Sequence, residues 1–238
     1  ERVQSLESNF VAWGAPLSLD QYLKREQHLE NIIGSGLQTW VLTSQDGILL
    51  AHCETYLEDF EAHSFDSESK NIKSANGKCF SVASVFVPPQ HRGNGYAKAM
   101  MTQLRNTFEK EGRCLLISAL YSDIGPNFYS TIGWELYSSL TLSLDVGQYC
   151  SETQNIDCSE ILANDLNELV EEDIKNLRTE SKQALLCSQD EDCAVLMIVP
   201  SLKRYQWFLE RSKFYSHFDQ YSSFDMNLLP FGHRVDKS

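Results

Sequence analysis

Apolar positions fall into a helical rhythm early in the chain. In residues 17–33, Leu19, Tyr22, Leu23 and Leu29 trace one stripe, Ser18 stands where an N-cap belongs, and Gly34-Ser35-Gly36 stops the pattern. An amphipathic helix is expected there, whereas residues 1–16 give no assignment. Two apolar runs, 39–43 and 47–56, are joined through Asp46-Gly47, a hairpin signal that predicts two antiparallel strands. Residues 59–78 are polar and aperiodic and read as a surface loop. A strand over 79–87 follows, then a helix over 94–110 with Ala97, Met100, Met101, Leu104 and Phe108 on one face. Residues 114–121 read as a buried strand which, after a crossover helix, should lie parallel to the one before. A short helix within 123–134 and an alternating final strand or pair over 134–144 complete this half. Beyond it the pattern predicts a charged amphipathic helix over 159–186, a strand over 194–200, an aromatic helix over 205–215 and a loop over 224–238.

The junction at residues 81–97 carries the candidate chemistry. An apolar run through Val85, Phe86 and Val87 ends at Pro88-Pro89, which supply no ladder N–H, and Gln90-His91-Arg92-Gly93-Asn94-Gly95-Tyr96-Ala97 leads into the helix. Gly93 and Gly95 let the backbone turn sharply with its N–H groups outward, and the helix adds the positive end of its dipole. The result is an anion cradle suited to a phosphate, the alternative being glycines that serve turn geometry alone. The loop lacks the Gly-Lys-Ser/Thr ending of nucleoside-triphosphate loops, and Ala99 stands where a dinucleotide fingerprint needs its third glycine. Nucleotide hydrolysis and hydride transfer therefore lose support.

Composition narrows the partners. The chain has 238 residues, 42% hydrophobic and 22% charged, which suits one large folded domain or one and a half ordinary ones. It contains no apolar run of about eighteen residues, so no membrane span is expected. Thirty-three acids against twenty bases give a net charge of −13, which repels nucleic-acid backbones and tolerates a small cationic amine. Seven scattered cysteines without a Cys-x-x-Cys pair read as reduced thiols in a cytoplasmic protein, and six histidines show no ligand spacing, so no metal is expected. Glu1-Arg2-Val3-Gln4 holds neither an initiator Met nor a signal core, so the chain is expected to begin inside a longer, non-secreted product.

Gln90, Arg92, Gly93 and Gly95 resemble the acetyl-CoA loop of the GNAT N-acetyltransferases, and Asn127-Phe128-Tyr129-Ser130-Thr131-Ile132-Gly133-Trp134, one strand later, resembles their Phe-Tyr-x-x-x-Gly-Phe signature. The resemblance covers roughly residues 17–145. Trp13-Gly14, Tyr22-Leu23-x-Arg25-Glu26, Trp40-Val41-Leu42-Thr43, Cys53-Glu54-Thr55 and Trp207-x-x-x-Arg211-x-x-Phe214-Tyr215 look more narrowly like the fungal lysine N6-acetyltransferases.

The resemblance implies an α+β (α/β) GNAT fold, a mixed and mostly antiparallel central sheet flanked by helices. It implies residues 1–145 as the acetyl-CoA-binding domain and 146–238 as the start of a helix-rich second domain, cut short. Acetyl-CoA is the implied cosubstrate, held by Val85, Phe86, Val87, Gln90, Arg92, Gly93, Asn94, Gly95, Tyr96, Ala97, Asn127 and Tyr129. The implied activity is acetyl transfer to an amine, most narrowly the side-chain amine of free lysine, by direct attack without a cysteine nucleophile. Tyr129 is the implied general acid, a packing role being the alternative. Glu54, an acid in mid-strand, is the candidate base or counter-ion for the amine, with His52, His91 and Asp123 behind it. A protein or peptide N-acetyltransferase and a non-catalytic acyl-CoA-binding module remain as alternatives, and the oligomeric state is open.

Overall fold

The computed structural model describes residues 1–110, 116–137, 158–188, 190, 192–216 and 232–235. Helix α1 (Arg2–Trp13), unassigned from the residue pattern, is followed by α2 (Leu19–Ile33), where Ser18 and Gln21 form a reciprocal capping box. Strands β1 (Leu37–Thr43) and β2 (Leu49–Asp66) pair antiparallel across the expected Asp46-Gly47 turn, with Gly47 at φ 77°. Next come β3 (Asn71–Phe86), α3 (Tyr96–Lys110), β4 (Leu116–Leu120) and α4 (Pro126–Ser130). Then follow β5 (Cys158–Ile161), α5 (Leu166–Ser188), β6 (Ala194–Ile198), α6 (Leu202–Ser216) and β7 (Gly232–Val235).

The main sheet runs β1-β2-β3-β4, and β6 joins β2 on the edge that β1 leaves open. Its pairings are antiparallel except β3 with β4, whose parallel register runs from Lys78↔Leu116 to Val82↔Leu120. This is the mixed, mostly antiparallel α+β sheet flanked by helices that the sequence suggested.

Several expectations are corrected. Residues 59–78 are no surface loop: β2 and β3 form one long hairpin whose register continues to Asp66↔Asn71. Polar residues are buried there because later elements cover them. Glu61 accepts from Arg178 of α5 at 3.0 Å, and the His63 ring lies 2.8 Å from Ser74 Oγ across the hairpin. Residues 158–161 form a strand paired with β7 rather than the start of a helix, and α5 begins only at Leu166. Residues 232–235 are therefore strand, not loop, a pairing set by residues about seventy positions apart, which no local pattern reveals. Residues 134–137 carry no strand, and the rest of the final strand or pair expected over 134–144 lies outside the described residues.

One face of the sheet packs on α3 and α4 through Ala51, Cys53, Phe80, Val82, Met100, Met101, Leu104, Phe108, Tyr129 and Ile132. The methionines are core, as their helical spacing implied. Phe80 stacks on Phe108 with centroids 4.3 Å apart. The opposite face carries α1, α2 and α6, where Arg25 of α2 hydrogen-bonds Tyr215, and Tyr56 of β2 meets Trp207 edge-on. Phe80→Ala removes a buried ring from this core and is expected to lower stability by about 3–5 kcal/mol, read as a shift of the denaturant midpoint at unchanged slope.

Candidate functional site

The site begins with one extra residue. Between His52↔Phe86 and Glu54↔Ala83, β2 advances two residues while β3 advances three, and Ser84 within that bulge sits at φ 54°, in the left-handed region rare for a residue with a Cβ. The β3–β4 ladder ends at Val82↔Leu120, immediately before the bulge. Val85 consequently has no register partner on either side. β4 itself ends at Leu120, so beyond Val82 the β3 chain parts from its parallel neighbour.

A groove of ≈ 390 Å³ opens from this separation to the start of α3. Of the residues expected to hold a coenzyme, Val85, Phe86, Val87, Arg92, Gly93, Gly95, Tyr96 and Ala97 line it. Gly93 and Gly95 have φ of 81° and 77°, and a Cβ at either would meet nothing within 4 Å, so glycine is needed for the backbone turn and not for space. The first intrahelical bond of α3 runs from Ala99 N–H to Gly95 C=O at 3.0 Å. The N–H groups from Gly95 to Lys98 precede it and have no intrahelical acceptor. Arg92 and Lys98 stand at this mouth with no acidic partner among the described residues. The overall acidic chain thus carries a locally cationic cradle.

Other expected residues lie elsewhere. Gln90 is exposed beside the loop, and Asn94 braces it, its side-chain N–H donating to the carbonyls of His91 at 3.1 Å and Arg92 at 3.2 Å. Arg92 Nε donates to the Val87 carbonyl at 3.1 Å. Asn127 is exposed on α4 and is not part of the groove wall. His91, Lys98, Ile124 and Phe128 line the groove unforeseen as coenzyme contacts. The position of Lys98 within the first turn of α3 was the signal that could have found it.

Tyr129 is 9% exposed, and its ring meets Phe128, a groove residue, edge-on at 4.9 Å. Burial, with the nearby Cys53 adding to it, pushes its phenol above the ordinary range, so the hydroxyl keeps its proton at neutral pH. Burial likewise pushes the Cys53 thiol up to about 12, and a thiol that holds its proton so firmly is no nucleophile. Glu54 is 5% exposed on the opposite face and has both oxygens engaged: Oε1 accepts from Arg2 at 2.7 Å and Oε2 from Ser84 Oγ at 3.0 Å. Arg2 also donates to Glu30 at 3.0 Å and to Thr39 at 2.8 Å. His52 is fully buried, and burial pushes its imidazole down to about 4. Among the described residues no group of three or more His, Cys, Asp or Glu is placed to hold a metal, and no helix is long and apolar enough to cross a membrane.

The groove thus ends at a glycine turn and at helix amides without an intrahelical acceptor, an arrangement suited to an anionic group. Residues 64–137 match the family model of the acetyltransferase (GNAT) domain. That stretch runs from the end of β2 through β3, α3, β4 and α4, so the bulge, the glycine turn and the groove lie within it. A lysine acetyltransferase of Yarrowia lipolytica is 36% identical over 100 residues, a stretch covering 40% of this chain and 24% of that protein. Solved structures similar to this chain include an acetyltransferase of Trypanosoma brucei, 18% identical over 60% of this chain and 94% of its own, with a TM-score of 0.39. A predicted acetyltransferase of Clostridium acetobutylicum, solved with acetyl-CoA, is 17% identical over 63% and 90% respectively, with a TM-score of 0.40. At these values the structural likenesses add nothing to the family match.

Two measurements check the buried charges. His52 binds its proton less readily folded than unfolded, so the unfolded state gains protons first as pH falls and stability drops between about pH 6.5 and the folded value near 4. Wild type is expected to lose about 3 kcal/mol more than His52→Gln over that window, in denaturant titrations. Arg2→Ala leaves the Glu54 carboxylate buried without its ion pair and is expected to cost about 3–5 kcal/mol, against a much smaller loss for Arg2→Ala combined with Glu54→Gln.

Proposed function

We propose that this protein is an N-acetyltransferase that moves the acetyl group of acetyl-CoA to a small cationic amine, and that the acceptor is the side-chain amine of free lysine. The observation that carries the reading is the groove: a strand separation at a bulge, continuous with unpaired amides at the N-terminus of α3. The amides from Gly95 to Lys98, with Arg92 and Lys98 beside them, bind the diphosphate. The Val85 main chain, without a strand partner, hydrogen-bonds the pantetheine and polarises the thioester carbonyl. Tyr129, neutral and buried behind Phe128, gives its proton to the departing thiolate. Glu54 acts on the acceptor side as fixed negative charge, tied to Arg2 and to the bulge through Ser84. Gln90, Asn94 and Asn127 contribute around the rim, Asn94 by bracing the loop.

Lysine is supported by the sequence likeness and by the name of the Yarrowia relative, a lysine acetyltransferase of which the matched stretch covers 24%. Residues 146–238 belong to a second, C-terminal region that helps build the acceptor side. The support is its insertion into the first: β6 extends the sheet at β2, and α6 packs on α2. Reduced cysteines are the support for a cytoplasmic location.

Thiol release from acetyl-CoA, followed with free lysine, ornithine and a lysine-containing peptide, tests the reading. Lysine is expected to be the preferred acceptor; preference for the peptide would instead favour a protein acetyltransferase. Coenzyme binding without release on any amine would leave only a binding module. Tyr129→Phe is expected to lower kcat about a hundredfold with the coenzyme KM nearly unchanged.

A further inference from the structure

The bulge of β3 is held by more than its own ladder. Ser84 keeps a left-handed backbone, φ 54°, without being glycine, and such a conformation persists only where the surroundings fix it. Neither Ser84 nor Val85 has a register partner on β2, whose ladder skips from Ala83 to Phe86. What reaches into the gap is a side chain. Ser84 Oγ donates to Glu54 Oε2 at 3.0 Å, and Glu54 is buried. The other carboxylate oxygen accepts from Arg2 at 2.7 Å, and the same guanidinium donates to Thr39 of β1 at 2.8 Å and to Glu30 of α2 at 3.0 Å. An acid buried in mid-strand is costly unless its partners are in place, and here the partner is itself tied to two further elements. At the other end of α1, Trp13 meets the Phe86 ring edge-on with centroids 5.7 Å apart. Helix α1 therefore braces β3 at the bulge and again just past it. The Val85 side chain packs on the α3 side of the sheet, and Val85 lines the groove with Phe86 and Val87.

We infer that Ser84 and Glu54 are positioning residues for the donor groove, an assignment that rests on the acetyltransferase reading. Arg2 fixes the Glu54 carboxylate, the carboxylate holds the Ser84 hydroxyl, and that bond keeps the bulge in the shape that leaves the Val85 main chain off both ladders. The main chain so presented is the part of the groove that meets the pantetheine arm and the acyl end of the donor. Neither Glu54 nor Ser84 belongs to the groove wall, so both act through Val85. The glycine turn and the α3 amides come after Pro88 and Pro89 and are braced separately, by Asn94. The two halves of the donor site thus have separate supports, and loss of one leaves the other.

The test measures affinity by calorimetry in the intact protein for two probes, acetyl-CoA and ADP, the second carrying a diphosphate and no pantetheine arm. Ser84→Gly is expected to fold, because glycine adopts φ 54° freely, yet it has no hydroxyl for Glu54. Its affinity for acetyl-CoA is expected to fall about tenfold while that for ADP changes less than about twofold. Ser84→Ala, Glu54→Gln and their double variant complete a cycle. Glu54→Gln weakens the same bond by removing the charge, so the double variant is expected to bind acetyl-CoA no worse than the weaker of the singles. Wild-type affinity for acetyl-CoA in Ser84→Gly, an equal loss for ADP, or additive losses in the cycle would each overturn the assignment while leaving the donor site itself intact. Wild-type protein that binds acetyl-CoA no more tightly than ADP would remove the acetyltransferase reading, and the assignment with it.

Discussion

One extra residue in β3 is the constraint on which the rest depends. Antiparallel pairing with β2 fixes Glu54 opposite Ala83 and His52 opposite Phe86, so the surplus residue must bulge, and Ser84 accepts a left-handed backbone at a cost of about 1–3 kcal/mol. The bend falls where the parallel ladder with β4 stops. A continuous ladder would have zipped the two strands together and satisfied the Val85 backbone. Instead the main chain there is left without a strand partner, at the mouth of a helix whose first amides are also unpaired. Strain in one residue and two sets of unsatisfied donors thus describe one site, a concentration of local rule-breaking expected where a protein binds a ligand.

The two faces of the sheet are stabilised by different forces. Toward α3 and α4 the interior is aromatic, aliphatic and sulfur-containing, and a buried thiol and phenol are simply held neutral. Toward α1, α2 and α6 the sheet presents charges. Arg2 ties three elements by donating to Glu30 of α2, Thr39 of β1 and Glu54 of β2, and Arg25 joins α2 to α6 through Tyr215. Arg204 of α6 stacks on the Tyr56 ring at 4.2 Å and faces Glu58 at 3.6 Å. Ion pairs of this kind give little net stability but are costly to break singly, so they fix the position of the covering helices more than they hold the fold together.

Much of this was legible in residue order. The N-cap at Ser18, the Asp46-Gly47 hairpin and the methionine stripe of α3 are local patterns, and each is found where its spacing put it. Eight of the twelve residues expected to contact a coenzyme line the groove, because a glycine turn between strand and helix is itself a local motif. The failures share a cause. Glu61 and His63 looked like loop residues, yet they are buried under α5, which begins about a hundred residues later. Residues 158–161 followed the rhythm of a helix, yet their backbone is taken by β7. Glu54 was legible as an acid out of place, but nothing in its neighbours announced Arg2 or Ser84 as its partners.

The sequence by itself determined many of the units: the helices α2 and α3, the first hairpin, where a glycine turn leads into α3, and the likeness to acetyltransferases. Those properties depend on residues within a turn or two of one another, where propensity, capping and the alternation of side chains act. Only the tertiary structure decided that β6 completes the sheet, that Asn94 braces the loop rather than facing the groove, and that Glu54 is spoken for while His52 Nδ1 is not. Those outcomes turn on which groups meet across fifty residues or more, and burial sets their protonation only after the chain has closed around them.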